Sequence, residues 1–281
     1  MRKATSHGLV AGLILWVLGA AMGCSPSPQA ELAMVEAQIA TKESLDDIPT
    51  AHRNFDRWCA LLGQVEPQEA REAVVRLTQK IAENDVVRYV YTEWLEGTLY
   101  GLASPYRNEA LFEAAMEVQA ADTTKSEVER ERPQYFLSLL TRNRVGDKAQ
   151  EIKFLTPKGE PCNLSDFEGR RVLMLVLDPT CASCEEAMTS TMKNRHIKRA
   201  MQKGELVALA VLIHSNKGLM EAFEQRYGAL GWQIMGSGIH SLEAQGYDPL
   251  ATPSYYLLDT AGRVEVRLSP TLDPIANKLK K

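Results

Sequence analysis

The chain has 281 residues, 32 Lys and Arg against 36 Asp and Glu, a formal net charge of -4, 45% apolar and 24% charged residues, and 5 cysteines. A charge this mild gives no basic field for nucleic acid, and the composition excludes disorder over most of the chain. Five cysteines are too few to build a disulfide scaffold at this length, and their odd number asks for separate roles.

At the amino terminus, Arg2 and Lys3 precede an uncharged apolar run over residues 9–23. That run is shorter than the ~20 residues that span a bilayer, and it ends in small residues, so residues 1–23 read as a secretory signal. Ala21-Met22-Gly23-Cys24 resembles the lipobox of bacterial lipoproteins, with Ala21 in place of the commonest leucine and a bulky Met22. The resemblance implies lipidation at Cys24 and a membrane anchor made of several acyl chains. An ordinary cleaved signal or an uncleaved anchor is the alternative. Residues 24–30, with Pro26 and Pro28, read as a tether. Ser25 is not aspartate, and by the same resemblance this implies the periplasmic face of the outer membrane.

Residues 31–145 read as an all-α domain. Helices are expected over 31–45, 51–62, from Pro67 through Ile81, after a cap at Asn84 or Asp85, over 109–120, and after Ser126. Val87, Val90, Tyr91, Trp94 and Leu95 recur at i, i+3, i+4, i+7 and i+8, an amphipathic stripe that reads as helix–helix core rather than a groove. Ser126 with Glu129 fits a capping box, and Pro133 is expected to kink or restart the last helix. This region shows no catalytic constellation.

Residues 146–281 change character. Strands are expected over 151–154, 171–178, 206–213, 254–258 and 264–268, with helices over 185–201, 217–227 and 273–281. The apolar run over 171–178 suits a strand buried on both faces. Strand–helix alternation closing on a hairpin predicts a mixed sheet flanked by helices, an α/β domain.

Cys181-Ala182-Ser183-Cys184 stands where that buried strand meets a helix. The spacing brings two sulfurs within bonding reach in the first helical turn. The helix amino terminus favours a thiolate at Cys181, the nucleophile of disulfide exchange, and Cys184 is placed to resolve the mixed disulfide. Glu185 and Glu186 oppose the thiolate. A structural disulfide or half a zinc site are the alternatives, but there is no second CxxC pair for zinc and no His at position 185 for haem. Cys59 and Cys162 read as two separate thiols, with a disulfide between the halves as the other possibility. Asp178 stands either as a proton relay to Cys184 or as the cap of the following helix.

Thr252-Pro253 opens the strand about 70 residues after the CxxC. With that pair in place, the segment resembles the thioredoxin-like superfamily. The stretches Phe154–Phe167 and Arg171–Cys184 look like the redoxin-type thioredoxins tethered in bacterial envelopes. Ala103-Ser104-Pro105-Tyr106-Arg107-Asn108-Glu109 and Arg132-Pro133 look like an uncharacterised helical domain that precedes such modules in lipoproteins of Gram-negative envelopes. The resemblance implies a cis Thr252–Pro253 bond facing the CxxC, with the Thr252 backbone pairing a substrate strand. It departs from thioredoxin at Leu175, where the buried aspartate is missing, and at Thr180, where an aromatic is usual. The proline and threonine that precede a peroxidatic cysteine are absent before both Cys181 and Cys184, which disfavours a peroxiredoxin.

The expectation is therefore a membrane-anchored periplasmic thiol–disulfide oxidoreductase. It would act on protein thiols and disulfides, be recharged by an envelope electron donor, and need neither cofactor nor metal. The inner dipeptide Ala182-Ser183 matches neither the Gly-Pro of strong reductants nor the Pro-His of strong oxidants and leaves the redox direction open; the resemblance to envelope reductases favours the reductant direction. The competing expectation is a lipoprotein interaction module that holds a partner with its helices and keeps only a structural disulfide.

Overall fold

A computed structural model of the protein describes residues 26–249 and 251–280. The expected signal sequence over 1–23 and the lipidation site Cys24 lie outside the described residues. Among the described residues, no helix is long and apolar enough to cross a membrane.

The amino-terminal half is helical. Helix α1 (Pro28–Gln38) starts inside the expected tether, because the Ser27 hydroxyl accepts a hydrogen bond from Ala30 N at 3.2 Å and Pro28 suits the first turn. It stops well short of Leu45: Ala40 adopts φ 58°, and a 3₁₀ turn follows over Glu43–Asp46. Asp47 caps α2 (Ile48–Leu62), and α3 (Pro67–Ile81) opens on its proline. Asn84 caps α4 (Asp85–Leu95) by accepting from Val86 N and Val87 N. That helix runs on into a π-helical turn over Glu96–Tyr100. Only glycine fits at the next position, since a Cβ on Gly101 would stand 2.3 Å from the Gly97 carbonyl oxygen. Helix α5 (Glu109–Ala121) is capped by Asn108, and α6 (Glu127–Leu140) by the Ser126–Glu129 box. Pro133 does not restart α6. The helix runs through it, and the buried ring packs in place of the one hydrogen bond it cannot donate. The aromatic stripe is core: Phe55, Trp58, Tyr91 and Trp94 pack with ring centroids 4.8–5.8 Å apart.

The carboxy-terminal half is a seven-stranded mixed sheet. Its strands are β1 (Lys153–Leu155), β2 (Pro161–Asn163), β3 (Arg171–Leu177), β4 (Leu206–Leu212), β5 (Trp232–Gly236), β6 (Ser254–Leu258) and β7 (Val264–Ser269). The order across the sheet is β2-β1-β5-β4-β3-β6-β7. β3, β4 and β5 run parallel, and the outer pairings are antiparallel. The expected 185–201 helix is two helices, α7 (Ala182–Lys193) and α8 (Arg195–Gln202). They break at Asn194, whose side chain accepts from His196 N and Ile197 N. Helices α9 (Lys217–Tyr227), α10 (Ile239–Ala244) and α11 (Asp273–Leu279) complete the half. Strands β2 and β5 and helix α10 were not expected; each is short, and β2 opens on a proline.

The two faces of the sheet have different owners. On β3, Leu173, Leu175 and Leu177 join Met188, Ile197 and Phe223 of α7, α8 and α9. Val172, Met174 and Val176 on the other face join one buried cluster that continues through Tyr247 and Tyr256 into Phe112, Phe136 and the aromatic core of the helical half. Polar contacts fix the junction. Tyr100 Oη donates to Asp248 Oδ2 at 2.9 Å, and Tyr135 Oη to Glu243 at 3.1 Å. Arg267 of β7 pairs with Glu109 and donates to the Leu139 carbonyl at 2.9 Å. The segment between the halves is held as well. Asn143 Nδ2 donates to the carbonyls of Gln245 and Gly246, and Gly146 N donates to the Val264 carbonyl at 2.8 Å.

Candidate active site

β3 delivers the chain to the site at its carboxyl end, and the turn after it is built by Asp178. The Asp178 carboxylate accepts from Thr180 N at 2.8 Å and Thr180 Oγ1 at 2.7 Å, while its carbonyl accepts from Cys181 N at 3.1 Å. Those bonds to Thr180 hold the Asp178 carboxyl below the usual carboxylate range. A side chain so committed anchors the turn and stays ionised at neutral pH.

Cys181 is the cap residue of α7, with extended backbone (φ -92°, ψ 117°) and a partly exposed side chain. Its carbonyl accepts from Cys184 N at 3.1 Å and starts the helix. The sulfur lies 2.9 Å from Ser183 Oγ. That hydroxyl, helped by the Cys184 thiol and the backbone N–H groups of Ser183 and Cys184, outweighs desolvation and lowers the Cys181 pKa. Two of these groups are backbone N–H groups of the first turn of α7, so the helix amino terminus acts on the developing thiolate. Glu185, which opposes the thiolate, is matched by Arg226 at 2.9 Å.

Cys184 is the opposite case. It is 1% exposed, one turn into α7, and burial pushes its thiol up to about 12, with the neighbouring Cys181 adding to the rise. The backbone of Asp178 and the side chain of Thr252 draw it partly back. Both cysteines are free thiols here, as are Cys59, buried in α2, and Cys162 on β2. Burial raises Cys59 far above the thiol range and raises Cys162 as well.

The Thr252–Pro253 peptide is cis. It opens β6 beside β3, so the Thr252 side chain reaches Cys184. The structure thus brings Cys181, Cys184, Asp178, Thr252 and Pro253 to one end of the sheet. Leu175 is fully buried among apolar neighbours, paired in register with Tyr255. Sequence reasoning missed two groups. Ser183 was read only as half of an inner dipeptide, although a hydroxyl two residues past a helix cap is placed to bond the cap side chain. Burial raises the pKa of Tyr255, with nearby Cys184 adding to the rise, and its hydroxyl bonds Thr191 Oγ1 at 2.9 Å. Among the described residues, no group of three or more His, Cys, Asp or Glu is placed to hold a metal ion.

A cleft of about 520 Å³ opens beside Thr252, walled on its other side by the π-turn and α6 of the helical half.

Residues 37–143 match the model of a domain of unknown function (DUF5106). No curated protein matches the chain. Among solved structures, a thioredoxin-like protein from Bacteroides caccae superposes with a TM-score of 0.73 at 20% identity, over 98% of this chain and 99% of that one. The thioredoxin domain of a thiol-disulfide oxidoreductase from Bacteroides vulgatus aligns with 48% of this chain and 95% of its own, at 18% identity and a TM-score of 0.41. A conserved protein of unknown function from Bacteroides fragilis aligns with 48% of this chain and 98% of its own, at 23% identity and a TM-score of 0.43. The full-length superposition establishes the fold: a helical region that carries the domain of unknown function, followed by a thioredoxin-like sheet with helices.

Proposed function

We propose that this chain is a periplasmic thiol–disulfide oxidoreductase, anchored to a membrane through Cys24, that reduces disulfides in protein substrates. One observation carries the reading: the two sulfurs of the CxxC are made chemically unequal. Cys181 is accessible and stabilised as a thiolate, while Cys184 is buried and held as a thiol. That inequality suits a nucleophile and its resolving partner, and a purely structural bridge has no use for it.

The chemistry follows from the pair. The Cys181 thiolate attacks one sulfur of a substrate disulfide, forms a mixed disulfide and releases the other sulfur as a thiolate. Cys184 then gives up its proton, which the released thiolate can take, and attacks the Cys181 sulfur. The second substrate sulfur leaves and is protonated from solvent. The substrate has gained two electrons and two protons, and Cys181–Cys184 is now a disulfide. A dithiol donor in the envelope would return the protein to its starting state. Thr252 and Pro253 would form the edge against which the substrate backbone lies.

The test is reduction of insulin by the full chain and by its Cys181→Ser variant. The wild type should turn over and the variant should be inactive; equal rates would remove the catalytic assignment. The anchor has its own test. A Cys24→Ala variant expressed in a Gram-negative host should lose incorporation of labelled palmitate and partition with the soluble fraction.

A further inference from the structure

Two residues of the helical half's sequence motifs, Ala103 and Arg132, line the cleft beside Thr252, and the disulfide chemistry uses neither. Leu102, Ala103, Tyr135 and Phe136 wall it from the helical side, facing Ala251 and Thr252. Three of its lining residues, Glu96, Arg132 and Phe136, also line a second cavity of about 180 Å³, which extends between α4 and α6 to Tyr89. Sharing that wall, the two spaces lie in series along the helices, the first at the cis-proline loop and the second farther from it, and together they make a track. Exposed Tyr89 (71%) stands at the far end, with exposed Val86 nearby on the same helix. A π-helical turn, a device frequent at functional sites, forms this wall with Glu96 and Tyr100, and Gly101 closes it where no Cβ fits. The charge of the track is one-sided. It contains Glu93, Glu96, Glu129 and Asp248 against Arg88 and Arg132. Both arginines are already bonded, Arg132 to Glu96 at 2.5 Å and to Glu93 at 3.4 Å, and Arg88 to Glu129 at 2.5 Å, and four carboxylates against two guanidinium groups leave the track net negative.

The geometry points to the helical half as the substrate-selecting element: this track binds an extended, apolar polypeptide segment carrying basic rather than acidic residues, adjacent to the cysteine that Cys181 attacks. The inference rests on the redox reading above and adds the class of substrate. An elongated track that ends at Thr252 fits a chain whose backbone also lies against that residue. Burying one Leu or Phe side chain of the guest is enough to set a preference of about tenfold or more.

The experiment uses the full chain in single turnover with peptides whose one cysteine carries a 2-thiopyridyl group. Attack by Cys181 on the peptide sulfur breaks the S–S bond, forms the mixed disulfide and releases pyridine-2-thione, which is read by absorbance. Three peptides are compared: one with Leu, Phe and Lys beside the cysteine, the same with Glu for Lys, and one with Gly, Ser and Lys. Each rate is divided by the rate with 2,2′-dithiodipyridine, a small disulfide that cannot reach along the track. The Leu–Phe–Lys peptide should exceed the Gly–Ser peptide by about tenfold in that ratio, and exceed the Glu peptide as well. Ala103→Trp, which fills the cleft from an exposed position, should abolish the preference, and Leu102→Asp gives an independent second variant. Absence of the apolar preference, its survival in both variants, or equal rates for the Lys and Glu peptides each overturns the inference. If thione release from dithiodipyridine is undiminished in Cys181→Ser, the redox reading itself falls, and this inference with it.

Discussion

At the scale of single residues, the site depends on the contrast between two sulfurs three positions apart. The sign of the Cys181 shift sets a pH test. Ser183 lowers the Cys181 pKa by donating to the thiolate, so Ser183→Ala should raise it. The midpoint of the iodoacetamide alkylation profile of Cys181 should then move to higher pH, with slower alkylation at neutral pH. An unmoved midpoint would mean that the helix terminus alone activates the sulfur. A second test needs no mutation. With Cys184 held near 12 and buried, brief iodoacetamide treatment at neutral pH should label Cys181 and spare Cys184 and Cys59, as peptide mapping would show. The CxxC and Thr252-Pro253 were legible in the sequence because both are contiguous motifs. The Ser183 bond was not, since it depends on the cap residue's extended backbone, and the approach of Thr252 to Cys184 depends on β3 and β6 being neighbours.

At the scale of elements, the long periodic helices and the buried strands were read from their spacing, and the errors fell where one residue changes the direction of the chain. Asn194 ends α7 and caps α8, so an apolar period that continues across it looked like one helix. Asn194→Ala should cost about 1 kcal/mol in urea unfolding, the usual value of a lost cap. Pro133 was expected to interrupt α6. The capping box at Ser126 and the burial of the proline ring keep the helix continuous, an outcome that sequence periodicity alone does not weigh. Arg267 gives a stronger test. Its side chain is 6% exposed and reaches from β7 to Glu109 at the start of α5. Arg267→Ala leaves Glu109 with only Arg107 and should cost about 3 kcal/mol, the low end for breaking a buried pair, because Glu109 keeps some access to water.

At the scale of the whole molecule, the sequence reads as two modules joined near residue 146. What the pattern could not show is how the join is held. Asn143 is tied to the carbonyls of Gln245 and Gly246, and the apolar cluster under β3 continues into the helices. A fragment spanning 146–281 would therefore present Val172, Met174 and Val176 beneath a thinned cover. It should bind the dye ANS and unfold at lower urea than the full chain, which should itself unfold in a single transition. Two separated transitions in the full chain would show that the halves are energetically independent.

The alternation along β3 also limits how this protein can change over time. Val172, Met174 and Val176 face the cluster that runs on into the helical half, and Leu173, Leu175 and Leu177 face the helices that include the one carrying the CxxC. One residue gained or lost within the strand would exchange the two sets, turning every side chain to the wrong neighbour. Loops around the sheet can lengthen and helices can be rebuilt, but the strand that leads to Cys181 has to keep its count.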